Sequence, residues 1–153
     1  MTDKNAVAFY ALGGVYAEGS MGLPQDSVKA NELYLKVGKL GHVDACFSLG
    51  DAYDDGNGVE VDKGKSKHYC YWELAAMGGH VHAMYKLGYT EAQAGNDERA
   101  MTHAMISARM GHGESLDKIK SGFRHGIVTK DEYEGTLCAY HNHNVVDLRR
   151  RVI

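Results

Sequence analysis

The sequence predicts an all-α fold, a solenoid built from four antiparallel helical hairpins stacked in tandem. Two observations carry this. The six-residue runs ACFSLG (45–50) and AMYKLG (83–88) repeat one another 38 residues apart, each preceded by Gly-His, and AFYALG stands at 8–13. Glycines then fall at regular intervals while Pro occurs once, so the 19 glycines punctuate helices instead of interrupting them.

The first helix of each unit, helix A, is read from its apolar period. Ala8, Ala45, Ala83 and Ser115 are each followed four residues later by Leu12, Leu49, Leu87 and Ile119, and Tyr16, Tyr53 and Phe123 stand at plus eight, with Glu91 the exception. Positions zero, four and eight share one helical face, which makes them a core stripe. Gly13, Gly50 and Gly88 follow the apolar residue and allow a neighbouring helix to approach closely. Helix A is expected to end at Gly19, Gly56, Gly95 and Gly126, in a left-handed conformation.

Helix B begins after Asp26, Asp62, Asn96 and Thr129, all suited to cap a helix N-terminus, and Thr129 with Glu132 forms a capping box. It runs to Gly41-His42, Gly79-His80 and Gly111-His112, with Asn144 at the equivalent place in the fourth unit. The expected helices are 4–18, 26–40, 43–55, 63–78, 81–94, 97–110, 113–125 and 129–143. One domain over 1–153 is expected, with units at 4–42, 43–80, 81–112 and 113–144 and a basic C-terminal tail at 145–153.

Composition narrows the function classes. The chain of 153 residues has 44% hydrophobic residues and a formal net charge of −3 with both signs interspersed, which gives no basic patch for nucleic acid. No apolar run reaches the roughly 20 residues that span a bilayer, so neither nucleic acid nor membrane is an expected partner. Lys4 and the apolar residues after it resemble a signal peptide, but they lie in register with the downstream units and read as the first helix. Cys46, Cys70 and Cys138 form no C-x-x-C pair and read as free thiols in a reducing, cytoplasmic compartment, a Cys46–Cys70 disulfide being the alternative.

The pattern A-x-x-x-L-G-x-x-Y-x-x-G, then G-V-x-x-D, then an aromatic-rich helix ending in Gly-His, resembles the Sel-one-like repeat, a relative of the tetratricopeptide repeat. It is clearest in residues 45–80, ACFSLGDAYDDGNGVEVDKGKSKHYCYWELAAMGGH. The resemblance implies a right-handed superhelix that acts as an adaptor for protein complexes. The third unit departs from it in lacking the long loop, and the fourth in lacking the Leu-Gly pair, as a terminal capping unit would.

In stacked hairpins the side of helix A opposite the core stripe lines a concave groove. That side carries Ala11, Gly14, Val15 and Glu18 in unit one and Ser48, Asp51, Ala52 and Asp55 in unit two. Lys86, Tyr89 and Thr90 follow in unit three, and Lys118 and Ser121 in unit four. The reading taken is a peptide-binding face on Ser48, Asp51, Asp55, Lys86, Tyr89, Thr90 and Lys118, with Asp51 and Asp55 engaging Lys or Arg and Tyr89 as aromatic anchor. The same residues also fit an inert solvated face.

Other chemistry is weaker in the sequence. Tyr10, Phe47 and Tyr85 recur at plus two and read as core, as does Trp72. His42, His80 and His112 recur between units and read as partners of helix-end carbonyls, while the H-x-H pairs His80/His82 and His141/His143 suit a metal poorly on a helix. No metal, cofactor or catalytic residue is assigned, and an enzyme is not expected. The alternative is a small-molecule-binding or hydrolytic protein that uses the same groove. Arg149, Arg150 and Arg151 read as a solubilising tail. The first unit carries no polar face to close the array, so either self-association through the repeat ends or a neighbouring domain is expected to cover it.

Overall fold

A computed structural model describes residues 3–59 and 67–152. Eight helices are present among them: α1 (Asp3–Glu18), α2 (Ser27–Gly38), α3 (Val43–Asp55), α4 (Lys67–Met77), α5 (Val81–Gln93), α6 (Asp97–Arg109), α7 (Gly113–Arg124) and α8 (Lys130–Val152). They alternate as the A and B helices of four hairpins. The chain falls into two compact units that divide between His80 and Val81, α1–α4 and α5–α8. None of the described helices is long and apolar enough to cross a membrane.

Local chemistry sets the helix ends. Gly19, Gly56, Gly95 and Gly126 take φ of 69°, 71°, 83° and 74°, the left-handed closure expected of helix A. Asp26 caps α2 by accepting from the Lys29 amide at 3.0 Å. Ahead of α8 the capping box is complete, with the Thr129 amide donating to Glu132 Oε2 at 2.8 Å and the Glu132 amide to Thr129 Oγ1 at 3.3 Å. The Thr129 amide and hydroxyl, both donating to Glu132 Oε2, hold the Glu132 carboxyl below its ordinary pKa. Asn96 departs from the expected role. It stands at the start of α6 with no side-chain cap bond, because its Nδ2 donates to Glu91 Oε2 at 2.7 Å instead. Asp62 and the expected start of the fourth helix lie outside the described residues.

In the first unit α1 packs on α2, α2 on α3 and α3 on α4, around a core of Ala30, Tyr34, Val37, Ala45 and Leu49. The A-helix glycines make the hairpins close. A Cβ on Gly13 would stand 2.6 Å from Cε1 of Tyr34, and one on Gly50 would run into the Trp72 indole. Trp72 is buried, as read. In the second unit α5 packs on α6, α6 on α7, and α8 on both α6 and α7, with Ala104, Ile119 and Val128 at the centre of one cluster. Cys46 is buried, Cys70 and Cys138 are exposed, and all three are free thiols.

Three expectations are corrected. The core stripe holds for Ala45 and Leu49 and for Ala83 and Leu87, but Ala8 and Leu12 are exposed, since none of the described helices covers them. Phe123 is also exposed, lying flat against Tyr133 with ring centroids 4.8 Å apart. The segment expected as a basic tail from 145 is helical. The run NVVDLRRRV contains neither Gly nor Pro, Arg151 pairs with Asp147 at 2.9 Å across one turn, and three arginines suit a helix C-terminus, so α8 continues to Val152.

Candidate protein-interaction surface

The Gly-His junctions position the A helices. Gly41 and Gly111 take φ of 87° and 93°, which turns the chain out of helix B, and the amides of His42 and His112 then donate back to the carbonyls of Val37 and Ser107. Side-chain roles differ from the sequence reading, which aimed the imidazoles at helix-end carbonyls. Nδ1 of His42 accepts from the Ala45 amide and Nδ1 of His112 from the Ser115 amide, both at 3.2 Å, so the rings cap the N-terminus of the next A helix. The recurring plus-two aromatic packs on the same ring. Tyr10 lies on His42 (4.7 Å), Phe47 on His80 (4.1 Å) and Tyr85 on His112 (4.8 Å). The aromatic series is therefore structural, as read.

His112 also stands 2.8 Å from Ser115 Oγ, which is 2.5 Å from Ser107 Oγ. Both serines are fully buried. This serine–histidine contact closes the α6–α7 turn, and its hydroxyls are out of reach of a substrate.

The first unit has a pocket of about 190 Å³. Ser48, Asp51 and Asp55 of α3, three of the predicted site residues, line it together, with Ala17 of α1, Asn31 and Tyr34 of α2, and Asn57 after α3. Successive turns of α3 bring 48, 51 and 55 to one side. Two carboxylates and two amides give the concavity an acceptor-rich lining. Asp51 has a structural duty as well, since Oδ1 accepts from Trp72 Nε1 at 3.1 Å. Asp55 is exposed at the rim. Asn31 Nδ2 donates to the Asn57 carbonyl at 2.8 Å and so ties α2 to the loop after α3. Burial, then the nearby Tyr10 and Glu18, raise the Tyr34 pKa.

Asn31 and Asn57 were not picked out from the sequence. The signal available was Asn31 itself, a polar residue in the middle of the α2 apolar face, 8% exposed. Such a residue needs a partner, and it finds one 26 residues away.

Lys86, Tyr89, Thr90 and Lys118 belong to the second unit. Lys118 of α7 reaches over two rings of α5, with its ammonium 4.7 Å from the Tyr85 centroid and 5.0 Å from that of Tyr89. Burial lowers the Lys118 pKa, with Glu114 opposing. Burial and a hydrogen bond to Glu114 raise that of Tyr85. Tyr89, half exposed, also accepts from Gln93 at 2.9 Å. Thr90 Oγ1 donates to the Lys86 carbonyl of its own helix at 3.0 Å. Tyr89 and Lys118 thus come together, while Thr90 is turned to backbone.

The family model for the Sel1 repeat matches residues 6–42, 43–80 and 81–112. The chain belongs to the Sel1 repeat family. Each matched Sel1 repeat ends on the histidine of a Gly-His pair, and in the first and third that histidine is an imidazole that caps the next helix. Sel1 repeats are generally protein-interaction scaffolds.

Among curated proteins the chain is similar to chitin synthase regulatory factor 4 of Schizosaccharomyces pombe, 28% identical over 109 residues. That match covers 71% of this chain and 17% of the relative. It is also 33% identical over 84 residues to the chitin synthase regulator SKT5 of Malassezia restricta, covering 55% of this chain and 6% of that protein. The chain thus spans a small fraction of the curated relatives it matches.

Two crystal structures share the Sel1 repeat fold. A Sel1 repeat protein from Oxalobacter formigenes superposes with a TM-score of 0.71 at 23% identity, over 90% of this chain and 58% of its own. A protective antigen of uropathogenic Escherichia coli strains gives 0.74 at 25% identity, over 92% and 30%. The fold class is therefore that of the all-α helical-repeat solenoids.

Proposed function

We propose that this chain is a protein-interaction module that engages a basic side chain of a partner polypeptide in the first-unit pocket. The observation that carries the reading is the convergence of Ser48, Asp51 and Asp55 on one concavity with Asn31. A carboxylate pair beside amide oxygens is suited to a guanidinium or ammonium group, and the pocket has the size of one side chain rather than of a drug-sized ligand. In the second unit, the half-exposed Tyr89 ring backed by Lys118 offers an amphipathic contact of the kind enriched in binding hot spots. Two curated relatives are named as regulators of an enzyme, which supports a role exercised on another protein in place of chemistry within this chain. Three free thiols fit a cytoplasmic setting.

The test is a set of peptide pools, each fixing one residue type at a central position, probed with labelled protein. Pools fixing Arg or Lys are expected to retain the wild type above pools fixing Gln. Asp55→Lys, at an exposed rim position, is expected to reverse that preference while melting at the wild-type temperature. Equal retention of Arg, Lys and Gln pools by the wild type overturns the reading.

A further inference from the structure

The two junctions between successive hairpins that lie inside the compact units share one design. In the first, α3 sets Ala45 and Leu49, 0% and 2% exposed, against α2, where Gly38 leaves room: a Cβ there would stand 3.4 Å from Leu49 Cδ1. In the second, α7 sets Ser115 and Ile119, both 0% exposed, against α6 through the Ser107–Ser115 bond. Positions zero and four of an A helix are thus the residues that a preceding B helix covers.

On α1 the same two positions are open. Ala8 is exposed and Leu12 is 38% exposed, with Val7 at 58% beside them. Leu12 and Tyr16 form one wall of a groove of about 400 Å³ whose other wall is Leu33 of α2, with Lys29, Glu32 and Lys36 at its rim. Lys29 is turned to Asp26 (3.9 Å) and Lys36 to the Phe9 ring (4.3 Å), and the Glu32 carboxylate is the anionic group of the rim.

A B-type helix with an uncovered apolar edge exists in this same chain. On α8, Val145, Val146 and Leu148 are 47%, 48% and 60% exposed, and Arg149 and Arg150 follow them. Val145, Leu148 and Arg149 lie within one turn of each other on a helical face. Their chemistry complements the groove: two apolar side chains for the floor of Leu12 and Leu33, and a guanidinium for Glu32.

We infer that a second copy of this chain docks the distal part of its α8 in the α1–α2 groove, so that one protomer covers the open face of the next. The contact is heterologous. Each association leaves one groove and one α8 edge open, and it propagates unless the rotation closes a ring.

Sedimentation velocity of the full chain over a concentration series tests this with two exposed-site variants, Leu12→Glu and Leu148→Glu, each checked for wild-type helicity and melting. The wild type is expected to gain mass with concentration, and each variant alone is expected to stay monomeric. An equimolar mixture of the two variants retains one intact junction, and is expected to form a dimer and nothing larger. A wild type that stays monomeric throughout overturns the inference. So does a wild-type dimer that Leu12→Glu abolishes and mixing does not restore, since that pattern marks a symmetric α1–α1 contact. The outcome is independent of basic-peptide binding in the first-unit pocket.

Discussion

The imidazole of His42 is held between two helices, with Tyr10 of α1 stacked on one face at 4.7 Å and its Nδ1 accepting the Ala45 amide of α3 at 3.2 Å. One side chain thereby caps a helix and packs against the preceding hairpin. His112 repeats the arrangement with Tyr85 and Ser115 in the second unit.

His42→Ala removes both contributions. A lost N-cap costs about 1 kcal/mol and a lost ring contact roughly 0.5–1.5 kcal/mol more. His42→Asn restores an acceptor without the ring, and is expected to recover about the capping part alone. Urea unfolding of the three proteins separates the two contributions.

Acidification is expected to weaken the second unit through His112. Burial, then the neighbouring His82 and Lys118, lower its folded pKa against the opposing pull of Glu114. The unfolded chain therefore binds the proton more readily than the folded one. The stability held at pH above the ordinary value of 6.5 is lost as pH falls below it and through the folded pKa. Protonated Nδ1 also ceases to accept from Ser115. Comparing the melting temperature of wild type and His112→Asn between neutral and mildly acidic pH checks this. The variant is expected to show the shallower decline.

Two glycines of the A helices respond oppositely to alanine. At Gly50 the new methyl runs into the Trp72 ring, which is 3% exposed and tied to Asp51, so overpacking of about 1–3 kcal/mol outweighs a helix-propensity gain of about 1 kcal/mol. At Gly14 the nearest atom is the Tyr34 hydroxyl at 4.0 Å, and only the propensity gain of about 0.5–1 kcal/mol remains. Gly50→Ala is expected to lower the melting temperature and Gly14→Ala to raise it.

Glu91 replaces the plus-eight aromatic of the other units and is buried, bonded to Asn96 at 2.7 Å and Arg99 at 3.3 Å. Arg99 is 64% exposed, so Arg99→Ala is expected to cost under about 1 kcal/mol. Glu91→Ala removes the buried carboxylate that bonds Asn96 and leaves a gap in the α5–α6 hairpin, and is expected to cost about 1–3 kcal/mol. Calorimetry on both variants checks the order.

Eight helices, their pairing into hairpins and the glycine that ends each A helix were legible in the amino-acid order. These follow from interactions a few residues long: the apolar period of Ala45, Leu49 and Tyr53, the left-handed turn at Gly56, the capping box of Thr129 and Glu132. The same order also brought Ser48, Asp51 and Asp55 to one side of one helix, because that grouping is set by helical geometry alone. Tertiary structure decided what each side chain meets. Trp72 reaches Asp51 from 21 residues away, Asn31 finds Asn57, and the imidazole of His42 turns forward to an amide instead of back to a carbonyl. The open face of Ala8 and Leu12 is decided the same way, since Ala45 and Leu49, in identical register, are buried where α2 lies against them. Local periodicity fixes which face a residue occupies, but burial and hydrogen-bond partners depend on chain segments far away in sequence, and these are set when the hairpins pack.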